Sequence, residues 1–278
     1  MDVSRCRKRI FGSGGRAGLL ALPLICALGC AAPVSAAEVL ACPDDSLLAQ
    51  TDGASGIPAA CTVLRGQFLI ESLYFQNASA VGGTALAAYP MFRLRAGAAS
   101  RLELLVDTPS QVAESGLGGV GLYLMSNAGV GANYALVDAP KLALTAGAEI
   151  QPPANHYAPN RQLQPKYGLD VTGLYQATPA LGLTGFFGVS TSFKSGLAHE
   201  FPGASLGAKI RAAYLTDVSV DLGSRFIARQ ANPQAFVDVS LERQLGECVS
   251  LDVGLGTTFN PVADTKSHYL AAGVNLRP

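Results

Sequence analysis

The fold is decided by the stretch RLELLVD at residues 101–107, where charged and aliphatic side chains alternate. Its odd positions carry Arg, Glu, Leu and Asp, whereas its even positions carry Leu, Leu and Val. The stretch DVSVDLGSR at 217–225 repeats the pattern. Because successive side chains of a strand point to opposite faces, each stretch predicts a strand with water on one face and an apolar environment on the other.

The first 37 residues have the pattern of a secretory signal peptide. Five basic residues precede or begin an apolar stretch over 17–32, and Val34-Ser35-Ala36-Ala37 then offers a cleavage site. The apolar core is interrupted by Pro23 and is shorter than the roughly 20 residues of a spanning helix, which argues against a retained anchor. Lipid attachment at Cys30 is a further alternative, but Ala27 stands where a large aliphatic residue is required. We therefore predict a signal peptide over 1–37.

About twelve alternating strands follow within residues 65–278. They are predicted over 65–75, 84–97, 101–107, 118–126, 141–150, 166–176, 181–191, 205–214, 217–226, 235–242, 248–258 and 267–276. Short connections mostly alternate with long ones, such as those over 151–165 and 192–204, although the segment 127–139 is long where a turn should be short. Tight turns at one end and long loops at the other are typical of outer-membrane barrels.

A soluble all-β sandwich is the alternative, since its strands also alternate. A sandwich buries large side chains on its apolar face, whereas these strands are rich in Gly and Ala, and its connections need not alternate in length. We predict an all-β fold, a transmembrane antiparallel up-and-down β-barrel of about 12 strands after a cleaved signal peptide. Its predicted location is the outer membrane of a Gram-negative bacterium.

The net charge and the predicted location limit the binding partners that the protein can have. Removing residues 1–37 takes away five bases and one acid, so Lys plus Arg falls from 20 to 15, Asp plus Glu falls from 20 to 19, and the formal net charge becomes −4. This acidic balance argues against nucleic acid as a partner. The expected partners are outer-membrane lipid and lipopolysaccharide, the barrel-assembly machinery and a small-molecule solute.

Residues 38–64 are predicted to form a periplasmic N-terminal segment before the barrel at 65–278. This segment is rich in Pro, Gly and Asp and lacks a strand period. Cys42 and Cys61 lie within it, and in an oxidising compartment we expect them to form a disulfide that closes a loop of about 20 residues. Neither cysteine has a second Cys or a His at zinc-site spacing, so no metal site is predicted.

The inward parity of the strands supplies the candidate site residues. We expect Glu71, Arg93, Arg95, Arg101, Glu103, Lys209, Arg211, Asp221, Arg225, Asp238 and Asp252 to line the lumen. Opposed charges in this position can line a selective pore. They can equally pair across the lumen and fill a closed barrel.

Three motifs resemble those of a family of bacterial outer-membrane barrels. They are GT at 83–84 continuing to YPMFRLRAG at 89–97, SRLEL at 100–104 and GLGGVGL at 116–122. The family is named for its association with the meta-cleavage pathway of phenol degradation and is often labelled transporter. The resemblance implies passage of small solutes, including hydrophobic or aromatic ones, and supplies no shared catalytic residues.

Catalysis has weak support in this sequence. The three histidines, His156, His199 and His268, all fall in or beside predicted external loops. A lipase or deacylase needs a Ser and a His in contact, but Ser267 and His268 are strand neighbours and point to opposite faces. We predict a non-enzymatic protein without cofactors that acts as a passive channel or uptake component. A structural or adhesive protein with a closed lumen and a membrane-embedded lipid hydrolase are the alternatives.

Overall fold

The alternating sequence forms fourteen described strand segments in a computed structural model of the chain. The structure describes residues 40–43, 46–54, 57–79, 85–108, 111–116, 119–124, 128–152, 166–194, 197–226, 233–260 and 265–278. The segments are β1 (Phe68–Ser79), β2 (Ala85–Ala99), β3 (Leu102–Asp107), β4 (Gln111–Gly116), β5 (Gly119–Leu124), β6 (Gly129–Ala139), β7 (Leu142–Gln151), β8 (Lys166–Thr178), β9 (Leu181–Lys194), β10 (Leu197–Ala213), β11 (Thr216–Phe226), β12 (Pro233–Gln244), β13 (Val249–Asn260) and β14 (Thr265–Leu276).

These segments make twelve passes around a closed antiparallel barrel. β2 pairs with β3 near one end and with β4 near the other, so β3 and β4 form one pass. β6 pairs with β3 and β5 pairs with β4, so β5 and β6 form the next pass. β1 pairs with both β2 and β14, which closes the sheet. The prediction of a twelve-strand barrel is confirmed.

The two faces of the wall differ as the alternation predicts. Leu169, Leu206 and Leu255 are 67%, 65% and 62% exposed on the outer face, whereas charged residues on the other parity, such as Glu103 and Asp238, are buried. A soluble protein rarely exposes so many large apolar side chains together. The outer face therefore has the character of a surface that contacts lipid. Among the described residues, no helix is long and apolar enough to cross a membrane.

Three predicted connections are wrong. The gap between the strands predicted over 101–107 and 118–126 contains β4 (Gln111–Gly116). Residues 129–139 form strand β6, and the turn follows at Pro140 and Lys141. The inner face of β6 carries Gly129, Gly131, Asn133 and Ala135, so it lacks the charges that marked most of the other strands. The connection predicted over 192–204 is mostly strand as well, because β9 reaches Lys194 and β10 begins at Leu197. The longest predicted loop falls mainly at residues 153–165, outside the described residues, as does the predicted signal peptide.

The short turns define one end of the barrel, here called the turn end. They lie at residues 100–101, 140–141, 179–180 and 214–215. β1 begins and β14 ends at this same end, since Ile70 pairs with Leu276. The segment before β1 therefore meets the barrel at the turn end.

This preceding segment lies inside the barrel rather than beside it. We call its described residues, 40–43, 46–54 and 57–64, the plug. The plug contains the short helix α1 (Leu47–Gln50), which Ser46 caps by accepting a hydrogen bond from the Ala49 amide at 3.3 Å. Its side chains Leu47 and Val63 are buried together with Leu69 of β1. The described part of the segment that was predicted to lie in the periplasm thus lies in the lumen.

Candidate functional site

The plug is closed on itself and fastened at the turn end. Cys42 and Cys61 form a disulfide, and the Ala41 amide donates to the carbonyl oxygen of Pro140 in the turn between β6 and β7. At the other end of the plug, the amide of Gln67 bonds back to Leu64 and the amide of Gly66 bonds to Gly97 of β2. Both ends of the plug are therefore held against the wall.

Arg95 of β2 joins the wall to two separate parts of the plug. Its guanidinium forms two parallel hydrogen bonds to the Glu103 carboxylate, at 2.8 and 3.0 Å. It also donates to the carbonyl oxygens of Gln50 and, at 3.3 Å, of Cys61. Such charge-assisted forks are stronger than neutral hydrogen bonds and fix geometry. Only 1% of the Arg95 side chain is exposed, so water does not compete for these donors.

Arg93 and Asp52 form the second attachment. The Arg93 guanidinium binds Asp52 at 2.8 Å and Asp107 of β3 at 2.7 Å. The Asp52 amide in turn donates to Glu71 of β1 at 2.7 Å. Burial by itself raises the pKa of Asp52, but the charges of Arg95 and Arg93 outweigh this effect and hold that pKa below its ordinary value.

The wall beyond β1 to β3 binds the plug through Lys209, Glu242 and Thr145. The Lys209 ammonium donates to the Leu48 carbonyl oxygen at 2.5 Å and lies 3.6 Å from the Glu242 carboxylate. The Thr51 hydroxyl also donates to Glu242. From β7, the Thr145 hydroxyl donates to the Ala60 carbonyl oxygen at 2.6 Å. The plug is thus bonded to both sides of the lumen.

Two wall glycines allow the plug backbone to approach this closely. A Cβ atom at Gly97 would lie 2.0 Å from the Leu64 carbonyl oxygen, and one at Gly254 would lie 2.8 Å from that of Ala54. Any side chain at either position would displace the plug or bend the wall.

A cavity of about 250 Å³ remains between the plug and the wall formed by β8 to β12. Its lining includes Thr51 and Asp52 of the plug and Lys209, Asp217 and Glu242 of the wall. It extends from the turn end, at Pro179 and Arg211, to Thr184 and Asp221 inside the barrel. This space has room for several water molecules or for one small organic molecule.

The predicted lumen residues fall into five groups. Glu71, Arg93, Arg95, Glu103, Lys209 and Asp252 contact the plug or the groups that hold it, and Asp221 and Asp238 are buried elsewhere on the inner face. Arg211 is half-exposed at the turn end and pairs with Asp217 at 2.6 Å. Arg101 differs from the expectation, because it lies in a turn with an exposed side chain. Arg225 lies in β11, but its side chain is outside the described residues.

Sequence reasoning missed the plug residues Thr51, Asp52 and Ala60. They lie in an aperiodic stretch, and strand alternation carries no information about where such a stretch docks. The available signal was indirect: Glu71, Arg93, Arg95 and Glu103 place four charges on one patch of wall, which needs polar partners in the lumen.

The one histidine whose side chain is described does not approach a serine nucleophile. His268 is exposed on the outer face, where its Nδ1 lies 2.9 Å from the Thr257 hydroxyl oxygen. Ser267 instead pairs with Thr258, at 2.5 Å between the hydroxyl oxygens. His156 and the side chain of His199 are outside the described residues.

Comparison with known proteins identifies the class of barrel. Neither a protein-family model nor a curated protein matches the chain. An outer-membrane channel from Pseudomonas putida F1 has a TM-score of 0.60 at 16% identity, over 78% of this chain and 97% of that one. The KdgM porin, solved in complex with disordered oligogalacturonate, has a TM-score of 0.51 at 9% identity, over 75% of this chain and 98% of that one. The fold is that of an outer-membrane barrel.

Proposed function

We propose that this protein is a passive channel or uptake component for small solutes in a bacterial outer membrane, and that it has no catalytic activity. The observation that carries the proposal is the cavity between the plug and the wall of β8 to β12. A plug that filled the whole cross-section would leave no such space, and a barrel without a plug would admit solutes of any size that its diameter allows. A narrowed lumen limits passage to small molecules.

The direction of the path follows from the ends of the barrel. In outer-membrane barrels the short turns face the periplasm, so the turn end and the fastened ends of the plug belong to that side. A solute that enters from the loop side would reach Thr184 and Asp221 and leave beside Arg211 and Asp217. The resemblance of the β2 and β3 sequences to a barrel family associated with phenol degradation supports hydrophobic or aromatic compounds among these solutes.

A second candidate function is supported by the extent of the plug bonding. If the plug never moves and the cavity is closed to solutes, the barrel is a structural or adhesive surface protein. In that case the segment over 151–165, which the sequence predicts to be a long connection, would carry the function. Its deletion would then remove a binding phenotype and leave permeability unchanged.

Swelling of proteoliposomes tests whether the protein is a channel or a structural surface protein. Vesicles with the folded protein should swell in arabinose and should not swell in raffinose, because a cavity of about 250 Å³ admits a monosaccharide more readily than a trisaccharide. Vesicles with heat-unfolded protein are the control. Equal swelling in both sugars would contradict a narrowed lumen, and no swelling in either would favour the structural role.

A further inference from the structure

The cavity between the plug and the wall is lined by apolar groups of the plug and by polar groups of the wall. Most plug residues on the lining are apolar, among them Ala49, Ala54, Pro58 and Ala59. The lining residues that β10 to β12 contribute are all charged or carry a hydroxyl group. A solute that fits this lining therefore has an apolar body and a polar group.

The bases on the lining are already bound to acids of the wall. The Lys209 ammonium donates to the Leu48 carbonyl oxygen, and it lies 3.6 Å from the Glu242 carboxylate and 3.8 Å from that of Asp217. Arg211, half-exposed at the turn end, binds Asp217 at 2.6 Å. These four side chains thus compensate one another.

The other two acids on the lining also have partners. Asp52 of the plug accepts hydrogen bonds from Arg93 at 2.8 Å and from the Ala59 amide at 2.9 Å. Asp221 of β11 is buried and is engaged as well. Among the described lining residues, a charged solute would therefore meet no unpaired opposite charge, and its lost hydration would not be replaced. The lining favours a neutral solute.

Two serines on the polar part of the lining are open to such a solute. Ser219 of β11 pairs directly with Ser240 of β12, and both line the cavity. We call them the serine pair. Neither hydroxyl makes a hydrogen bond within the described part of the chain. Cβ atoms of directly opposite residues lie about 4.5–5.5 Å apart, so one polar group of a solute can contact both hydroxyls.

The remaining hydroxyl groups of the described lining are not open in this way. The Thr51 hydroxyl donates to Glu242, and the Thr184 hydroxyl oxygen is buried. A serine hydroxyl both donates and accepts hydrogen bonds. The serine pair can therefore bind a hydroxyl group or a carbonyl oxygen equally well.

We propose that the cavity binds small neutral molecules in which a hydroxyl or carbonyl group is attached to an apolar body. The polar group bonds to the serine pair, and the apolar body packs against Pro58, Ala59 and Leu174, which also line the cavity. This inference rests on the proposed function for the route by which the solute arrives, whereas binding itself can be measured without transport.

Calorimetry on the purified full chain in detergent tests the selection of neutral molecules. Cyclohexanol, cyclohexylammonium and cyclohexanecarboxylate share one apolar body and differ in charge at pH 7. Titration of each probe into detergent alone is subtracted, because the apolar body also enters micelles. Cyclohexanol should bind at least ten-fold more tightly than either ion.

Alanine variants of the serine pair test where the polar group binds. Ser219→Ala or Ser240→Ala should weaken cyclohexanol about five-fold, the size of one neutral hydrogen bond. Ser205→Ala is the matched control, because Ser205 is a buried, inward-facing serine that does not line the cavity. This control should change binding less than two-fold. Heat-modifiable migration on gels confirms that each variant is folded.

Other outcomes overturn the proposal. Tighter binding of cyclohexylammonium would show that Asp217 and Glu242 bind the solute, and tighter binding of cyclohexanecarboxylate would give that role to Arg211. Equal affinity for all three probes, or unchanged cyclohexanol binding in both pair variants, contradicts the proposal as well. If neither pair variant folds, the three affinities of the wild type decide the question. Cyclohexanol binding without vesicle swelling contradicts the proposed function alone, and swelling without selective binding contradicts this inference alone.

Discussion

The guanidinium of Arg95 contacts β3 and two segments of the plug, residues 46–54 and 57–64. Its planar fork meets Glu103 with two hydrogen bonds and still reaches the carbonyl oxygens of Gln50 and Cys61. A lysine at this position would keep the charge but place all its donors at one point, so it could not hold the wall and both plug segments together. The seating of the plug therefore depends on arginine in particular.

Replacing Arg95 by lysine should loosen the plug. We expect a loss of about 2 kcal/mol, the size of one or two charge-assisted hydrogen bonds, which corresponds to roughly 30-fold more frequent opening. Hydrogen exchange of the plug amides, followed by mass spectrometry, measures this opening. Arg101→Lys, the same change at an exposed turn, should leave exchange unaltered. Unchanged plug exchange in Arg95→Lys would contradict the role given to the fork.

Asp52 should make plug seating sensitive to strong acid. Its folded pKa is lowered, with burial opposing the shift and Arg95 and Arg93 outweighing it. A lowered folded pKa gives stabilisation that is fully present above the ordinary value of 3.8 and is lost as pH falls below it. Conductance should therefore stay constant from pH 7 to about 4.5, then rise towards pH 3. Asp52→Asn should abolish that difference, and an identical acid response in the variant would contradict the assignment.

At the scale of elements, strand patterns identify a pass most clearly where the inner face is charged. β11 was predicted almost to its ends, since Asp217, Ser219 and Asp221 mark its inner parity. β6 was missed because small residues replace those charges, and a bulge between Ala135 and Val137 interrupts the period. The period-2 signal measures the difference in polarity between the two faces, and Gly and Ala on the inner face of β6 differ little in polarity from its apolar outer face.

Contact between the plug and β13 depends on the absence of a side chain at one position. Gly254→Val would place its Cβ 2.8 Å from the Ala54 carbonyl oxygen, so the plug must shift away from the wall. Proteoliposomes with this variant should swell faster in arabinose and begin to admit raffinose. Gly173→Val is the matched control: it lies on the outer face, and its Cβ would meet Leu144 at an ordinary 3.5 Å. Equal swelling by both variants would contradict the placement of the plug.

At the scale of the whole molecule, the sequence predicted the barrel but not what fills it. Membrane exposure imposes a regular pattern on every strand, and that pattern can be read from the chain without a structure. The plug obeys no such period, because its position is fixed by separate contacts such as those of Arg93 with Asp52 and of Lys209 with the Leu48 carbonyl oxygen. Contacts between residues 41 to 161 positions apart are not encoded in any local pattern.

Conductance across planar bilayers tests the channel assignment most directly, using the folded wild type and the Cys42→Ser, Cys61→Ser double variant. Closing a loop of about 20 residues restricts the unfolded plug by roughly 3 kcal/mol, so the double variant should seat its plug less often. The wild type should give small, discrete conductance steps, and the variant should give larger ones. Silent bilayers with both folded proteins would contradict a channel, and equal steps from both would contradict a plug that narrows it.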